Sequence, residues 1–175
     1  QENSVFVSNI LLYDLKETEP YGRYSVQDGL LLAFGQQGER LAAVTDTGLS
    51  LADPDGNNQK VYSYGEDYLR DYDLHGEDFS VLLLNRYRSG SVGRLITVDT
   101  EGAQIASLDV NTEVLSVSAS GRYLAVLYAD KLVVYNRDLQ VYASLQGTDY
   151  AREALMRPDG SVLLVSSESA ELFLP

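Results

Sequence analysis

The sequence predicts an all-β protein, a β-propeller-like (WD40/PQQ-like) repeat of four-stranded antiparallel blades. Three observations carry this. An apolar strand, a turn and a second apolar strand recur around Gly38, Asp78, Gly121 and Gly160, at intervals of 40, 43 and 39 residues. Within each unit the apolar period is two, as in Lys131-Leu-Val-Val-Tyr135 and Gln140-Val-Tyr-Ala-Ser-Leu145. Further turn signals fall at matching places in the units, at Asp53-Pro-Asp-Gly56, Asp99-Thr-Glu-Gly102 and Asn136-Arg-Asp-Leu139. A four-stranded meander has two faces and can bury them only by stacking on its neighbours, which is the logic of a propeller. A β-sandwich of this length would not need one turn signature at a fixed spacing.

Naming the strands of a unit a to d, the first complete unit is predicted at 30–34, 41–45, 49–52 and 60–64. The second is at 69–74, 79–85, 94–98 and 104–108, and the third at 114–118, 123–128, 131–135 and 140–145. A fourth has three strands, 153–156, 162–166 and 170–174. The N-terminal stretch supplies counterparts of c and d at 10–13 and 22–26, with 5–7 as part of a b strand. The chain is therefore expected to be one propeller-like domain, or the C-terminal part of one, of four to five blades. Its units run over 1–28 (partial), 29–65, 66–110, 111–147 and 148–175 (partial). Three ways of completing the arc follow: the N-terminal strands finish the last blade, the chain belongs to a larger propeller, or two copies associate through open blade faces.

Composition narrows the function classes. The chain has 26 acidic and 13 basic residues, a net charge of −13, and such a field repels nucleic acid and anionic membrane surfaces. It has no cysteine, so disulfides, thiolate nucleophiles and sulfur ligands are all absent. Its apolar runs are far shorter than the roughly 20 residues that span a bilayer. The sequence begins at Gln1 rather than Met, and removal of an upstream segment is expected.

Certain segments resemble a known family. Tyr87-Arg-Ser-Gly-Ser-Val-Gly-Arg-Leu-Ile-Thr-Val-Asp99, Leu115-Ser-Val-Ser-Ala-Ser-Gly-Arg-Tyr-Leu-Ala-Val126 and Asn9-Ile-Leu-Leu-Tyr-Asp-Leu15 look like the bacterial family called domain of unknown function 5711. The resemblance runs over nearly all of this chain and the C-terminal half of a typical member. It implies an extracytoplasmic, propeller-like region held to the cell membrane by an N-terminal anchor that this sequence lacks. The family transfers no catalytic residues.

Candidate chemistry is sparse. His75 is the only histidine, which excludes a multi-histidine metal site, and beside Glu77 and Asp78 it reads as a solvated turn residue. Asp53-Pro-Asp-Gly-Asn-Asn58 begins like a calcium loop, but Asn58 stands where the glycine belongs and Tyr64 where a bidentate Glu is needed. It is read as the turn between strands c and d. Glu66, Asp67, Asp71, Asp73, Glu77 and Asp78 concentrate carboxylates, and paired carboxylates can hydrolyse glycosides. A solvated blade edge that resists edge-to-edge pairing explains them more simply. Among the thirteen tyrosines, Tyr123, Tyr128 and Tyr135 are expected between blades, and Tyr21, Tyr24, Tyr62 and Tyr64 on a contact surface.

Asn85-Arg-Tyr-Arg-Ser-Gly-Ser-Val-Gly93 is the longest b-to-c connection and the only basic, glycine-rich excursion. In a propeller the b–c loops and d–a crossings share a face, so Arg86, Tyr87 and Arg88 are expected near Tyr68 and Tyr150. Arginine forks beside tyrosine rings suit a carboxylate, a sugar acid or an acidic peptide, whereas Gly90 and Gly93 alone would suit a wide hairpin. The sequence thus points to a non-enzymatic, extracytoplasmic binding or scaffolding module that recognises a protein, peptide or glycan. No cofactor, metal or catalytic residue is assigned. The alternatives are a carbohydrate-active enzyme using paired carboxylates and a purely structural assembly domain.

Overall fold

The computed structural model describes residues 7–27 and 29–175. Among these residues seventeen strands form five sheets, each a meander in chain order. An N-terminal hairpin pairs β1 (Val7–Leu12) with β2 (Gly22–Gln27). The first blade is β3 (Leu31–Gln37), β4 (Arg40–Thr45), β5 (Gly48–Ala52) and β6 (Lys60–Ser63). The second is β7 (Tyr68–Asp73), β8 (Phe79–Asn85), β9 (Gly93–Asp99) and β10 (Gln104–Val110). The third is β11 (Val114–Ser120), β12 (Tyr123–Tyr128), β13 (Lys131–Asn136) and β14 (Val141–Gln146). The last has three strands, β15 (Glu153–Met156), β16 (Val162–Val165) and β17 (Ala170–Phe173). The hairpin is a sheet of its own, so among the described residues the N-terminal strands do not complete the last blade. Of the b strand expected at 5–7, residues 5 and 6 lie outside the described residues, and Val7 opens β1.

Side-chain burial follows from stacking. The middle strands are covered on both faces, and Phe79-Ser-Val-Leu-Leu-Leu-Asn85 is buried at every position. The outer strand β14 alternates instead between exposed and half-buried positions. Each interface between neighbouring sheets has its own apolar cluster. Leu49, Leu51, Leu82 and Leu84 join the first blade to the second. Val81, Leu95, Val117 and Val126 join the second to the third, and Leu127, Leu132, Met156 and Leu164 join the third to the last. At the hairpin, Tyr24 and Val26 pack on Ala43 and Ala52, whose small side chains leave room for a ring, and Tyr24 meets Phe34 at a centroid distance of 5.9 Å. On the outer side of the last blade an apolar row is uncovered among the described residues: Leu155, Leu163 and Leu172 lie opposite one another across β15, β16 and β17, with Leu155 and Leu172 exposed.

Two of the surface tyrosines are corrected by this packing. Tyr24 (0% exposed) and Tyr64 (3%) are core residues, because each sits on the face its sheet turns toward the next. Tyr21 is exposed, and half-buried Tyr62 donates from Oη to Gln104 Oε1 at 2.9 Å. Tyr128 and Tyr135 are buried as expected, hydroxyl to hydroxyl at 3.2 Å, and Tyr123 packs against the third interface and stacks on Tyr142.

The inner strands are also joined by polar bonds. Asp71 Oδ2 accepts the Val117 N–H at 3.1 Å and Asp73 Oδ2 the Ala119 N–H at 2.9 Å, from the second blade to the third. One blade on, Ser116 and Ser118 Oγ accept the N–H groups of Ala154 and Met156. The same pairing irregularity precedes these positions in three blades, between Leu31 and Ala33, Leu69 and Asp71, and Val114 and Ser116. Each is a bulge that sets one residue, Leu32, Arg70 or Leu115, off the ladder. Asp71 and Asp73 are therefore not a solvated edge: they cap the backbone of the neighbouring inner strand. At the opposite end of the blades, Arg40 bonds Asp53 of its own blade and Glu101 in the β9–β10 turn of the second. One blade on, Asp78 bonds Arg137 in the β13–β14 turn of the third, so the signs are exchanged.

Burial pushes the Asp71 carboxyl above its ordinary 3.8, against the lowering effect of the Tyr72 and Val117 N–H groups and Arg70. The folded state then holds the proton more tightly than the unfolded chain, so stability falls as pH rises from 3.8 through the raised value. Asp71→Asn keeps an acceptor for Val117 without the buried charge. It should be at least as stable as the parent above that window, with the difference vanishing below it. Asp71→Ala, which strands the N–H, should lose about 1–3 kcal/mol. Urea denaturation at pH values on both sides of the window reads all three.

Candidate functional site

The b–c connections of the first and third blades are the tight pairs Asp46–Thr47 and Ala129–Asp130, whereas that of the second blade runs from Arg86 to Val92. Its base is tied twice: Arg86 N–H donates to Val92 O at 3.0 Å and Asn85 Nδ2 to Gly90 O at 3.0 Å. Gly93 lets β8 and β9 close beneath it, because a Cβ there would stand 2.2 Å from Leu84 O. Gly90, at φ 114° with open space around it, turns the tip. Both glycines thus serve the hairpin geometry, and that geometry lifts Arg86, Tyr87 and Arg88 to the surface.

Tyr68 opens β7 beside this loop. The Arg88 guanidinium lies 5.3 Å from its ring centroid, a cation–π contact that orients the guanidinium while leaving its edge for another acceptor. The contact has a support underneath. Arg94 on β9 bonds Asp67, the residue before Tyr68, and so fixes the crossing from β6 to the strand below the loop. Tyr68, Arg86, Tyr87 and Arg88 line one groove of about 1220 Å³, together with Asp46, Glu66 and Asp67. Tyr150 is elsewhere: it lies in the β14–β15 connection, its Oη donates to Glu171 Oε2 at 2.9 Å, and it lines neither this groove nor the depression next to it.

That second depression, of about 450 Å³, lies between the second and third blades and shares Arg88. It brings in Arg70, absent from the sequence-derived set. A bulge residue has no periodic signature; the signal was a lone arginine where the other units carry Leu32 and Leu115.

Arg40, Arg94, Arg137 and Arg157 pair with carboxylates. Of the ten arginines, six form no ion pair among the described residues, and three of those six, Arg70, Arg86 and Arg88, lie together here, the others being Arg23, Arg122 and Arg152. The chain has twice as many acidic as basic residues. Elsewhere the candidate chemistry is structural. His75, with its side chain 83% exposed, contacts Asp73 Oδ1 through Nδ1 at 2.7 Å. The Asp53 carboxylate is engaged by Arg40 and Asn58 within its turn, with Gly56 at φ 85°. The six carboxylates at 66–78 divide between inter-blade acceptors (Asp71, Asp73), ion pairs (Asp67, Asp78) and exposed turn residues (Glu66, Glu77).

Several solved structures are similar to this chain in fold. Hsv2 of Kluyveromyces lactis matches with a TM-score of 0.63 and 14% identity, over 93% of this chain and 53% of that one. The fold is a β-propeller. BamB of Moraxella catarrhalis matches this propeller chain with a TM-score of 0.60 and 14% identity, over 94% of this chain and 50% of that one. For the Pan2 WD40 domain of Neurospora crassa the values are 0.55 and 11%, over 89% and 51%. The chain thus spans about half the length of the propellers it matches. No family model matches it, and no curated protein does.

The loop base yields a prediction. Gly93→Ala should cost about 1–3 kcal/mol, because the methyl group must displace the Leu84 carbonyl and part β8 from β9. Gly90→Ala, strained only in its dihedral, should cost about 1 kcal/mol. Thermal melts compare the two.

Proposed function

We propose that this propeller chain is a non-enzymatic binding or scaffolding module that receives an acidic segment of a protein, peptide or glycan in the groove lined by Tyr68, Arg86, Tyr87 and Arg88. One observation carries the reading: guanidinium groups without carboxylate partners, next to exposed tyrosines, on an otherwise acidic molecule. An arginine left unpaired among so many carboxylates is available to a carboxylate from outside, and the tyrosine rings add contact area at little entropic cost. The carboxylates of Asp46 and Glu66 in the same lining favour a segment of mixed charge whose acidic groups face the loop. We place the module outside the cytoplasm, held to the membrane by an upstream anchor. The support for that is the resemblance of its strand and loop segments to the bacterial family named above.

The triple substitution Arg86→Ala, Tyr87→Ala, Arg88→Ala should weaken capture of an acidic partner at least tenfold, about 1.4 kcal/mol. The melting temperature should stay within a few degrees, since all three side chains are exposed. Unchanged binding to a verified partner would overturn the assignment.

A second reading, homotypic assembly, is favoured by the uncovered row Leu155, Leu163 and Leu172. Every other blade face with a neighbouring sheet is buried against it. Sedimentation of the parent and of Leu172→Asp tests this: a dimer that dissociates on substitution supports it, and a monomeric parent excludes it.

A further inference from the structure

We propose that the depression between the second and third blades is a binding site for a small hydroxylated carboxylic acid of the uronic acid type, clamped by Arg70 and Arg88. The site is distinct from the groove proposed above for a macromolecular partner and shares only Arg88 with it. Its volume of about 450 Å³ is that of a small-molecule pocket.

The chemistry of the lining selects the ligand. Arg70 and Arg88 supply the cationic forks, and neither forms an ion pair among the described residues, Arg70 acting on the Asp71 carboxyl only at longer range. Ser89, Ser91 and Thr112 bring hydroxyl groups, and Glu113 brings one acceptor-only carboxylate. Leu83, Val110 and Val114, all buried, form an apolar side of the cavity. A sugar acid presents the matching set. Its carboxylate pairs with the two guanidinium groups, its hydroxyls meet the Ser and Thr hydroxyls and donate to Glu113, and its C–H face lies on the apolar side. A simple inorganic anion would leave Glu113 opposed and the apolar side empty, and a neutral sugar would leave both arginines unanswered.

Arg70 is placed for this by the fold. The bulge between Leu69 and Asp71 takes its side chain off the β7–β8 ladder, and the residue is exposed. The equivalent residues of the first and third blades are Leu32 and Leu115, so a cation at this position is peculiar to the blade that also carries the long loop. Arg88 is held from the other side by the Tyr68 ring. The two arginines thus come from different elements, an inner strand and a loop, and converge on one cavity.

The test is titration of the isotopically labelled protein with D-glucuronate and, in parallel, with D-glucose and acetate. D-glucuronate should move the amide resonances of Arg70, Ser89, Thr112 and Glu113 saturably, glucose should not, and acetate should bind at least tenfold more weakly. Arg70→Gln should weaken glucuronate binding about tenfold or more, the loss of a charge-assisted hydrogen bond. Arg86→Gln, which touches only the groove, should leave it unchanged. Equal responses to glucuronate and glucose, shifts confined to other blades, or unaltered affinity in a folded Arg70→Gln would each overturn the proposal. Loss of partner capture on substituting Tyr87 reports on the groove alone, so the two readings fail separately.

Discussion

Each sheet here has two apolar faces and can cover neither by itself. Everything else in the molecule follows from that constraint. Middle strands such as Phe79–Asn85 are apolar throughout because they are covered from both sides, and the clusters of the core lie between sheets rather than within one. The polar bonds of the inner strands belong to the same logic. Where two inner strands run side by side without pairing, their N–H groups need acceptors, and Asp71, Asp73, Ser116 and Ser118 supply them from side chains. Residues that look like a charged edge are in fact part of the contact.

The strands and their order were legible because period two and recurrent turns report local geometry, and the strand limits deduced from them agree with the structure within a few residues. What was illegible is what depends on the neighbouring blade. Tyr24 and Tyr64 lie on or beside outer strands, yet face a partner sheet that no local pattern reveals. Asp71 and Asp73 alternate correctly, but alternation does not say that their common face meets another backbone. Tyr150 lies on the same kind of connection as Tyr68, but between β14 and β15 rather than after β6, so two blades of arc separate the two rings. Arg70 was missed for the opposite reason, since a bulge breaks the very period used to find the strands.

The region around the 86–92 loop brings together three arginines without ion pairs, two exposed tyrosine rings and two cavities. Its rigidity comes from below. Arg94 holds Asp67, Gly93 lets the strands close, and Asn85 ties back the tip, so recognition groups on a loop are carried by bonds to strands.

The exchanged signs of the ion pairs Arg40–Glu101 and Asp78–Arg137 bear on assembly of the chain itself. Repeats of like shape can dock in the wrong order, or with the same blade of another molecule, and a folding intermediate is exposed to both errors. Were the first blade to skip the second and meet the third, Arg40 would face Arg137; were two second blades to meet, Asp78 would face Glu101. Each exposed pair contributes only about 0–1 kcal/mol in the correct order. The alternation turns that modest attraction into repulsion for either mistake, and so gives otherwise interchangeable blades a sense of sequence.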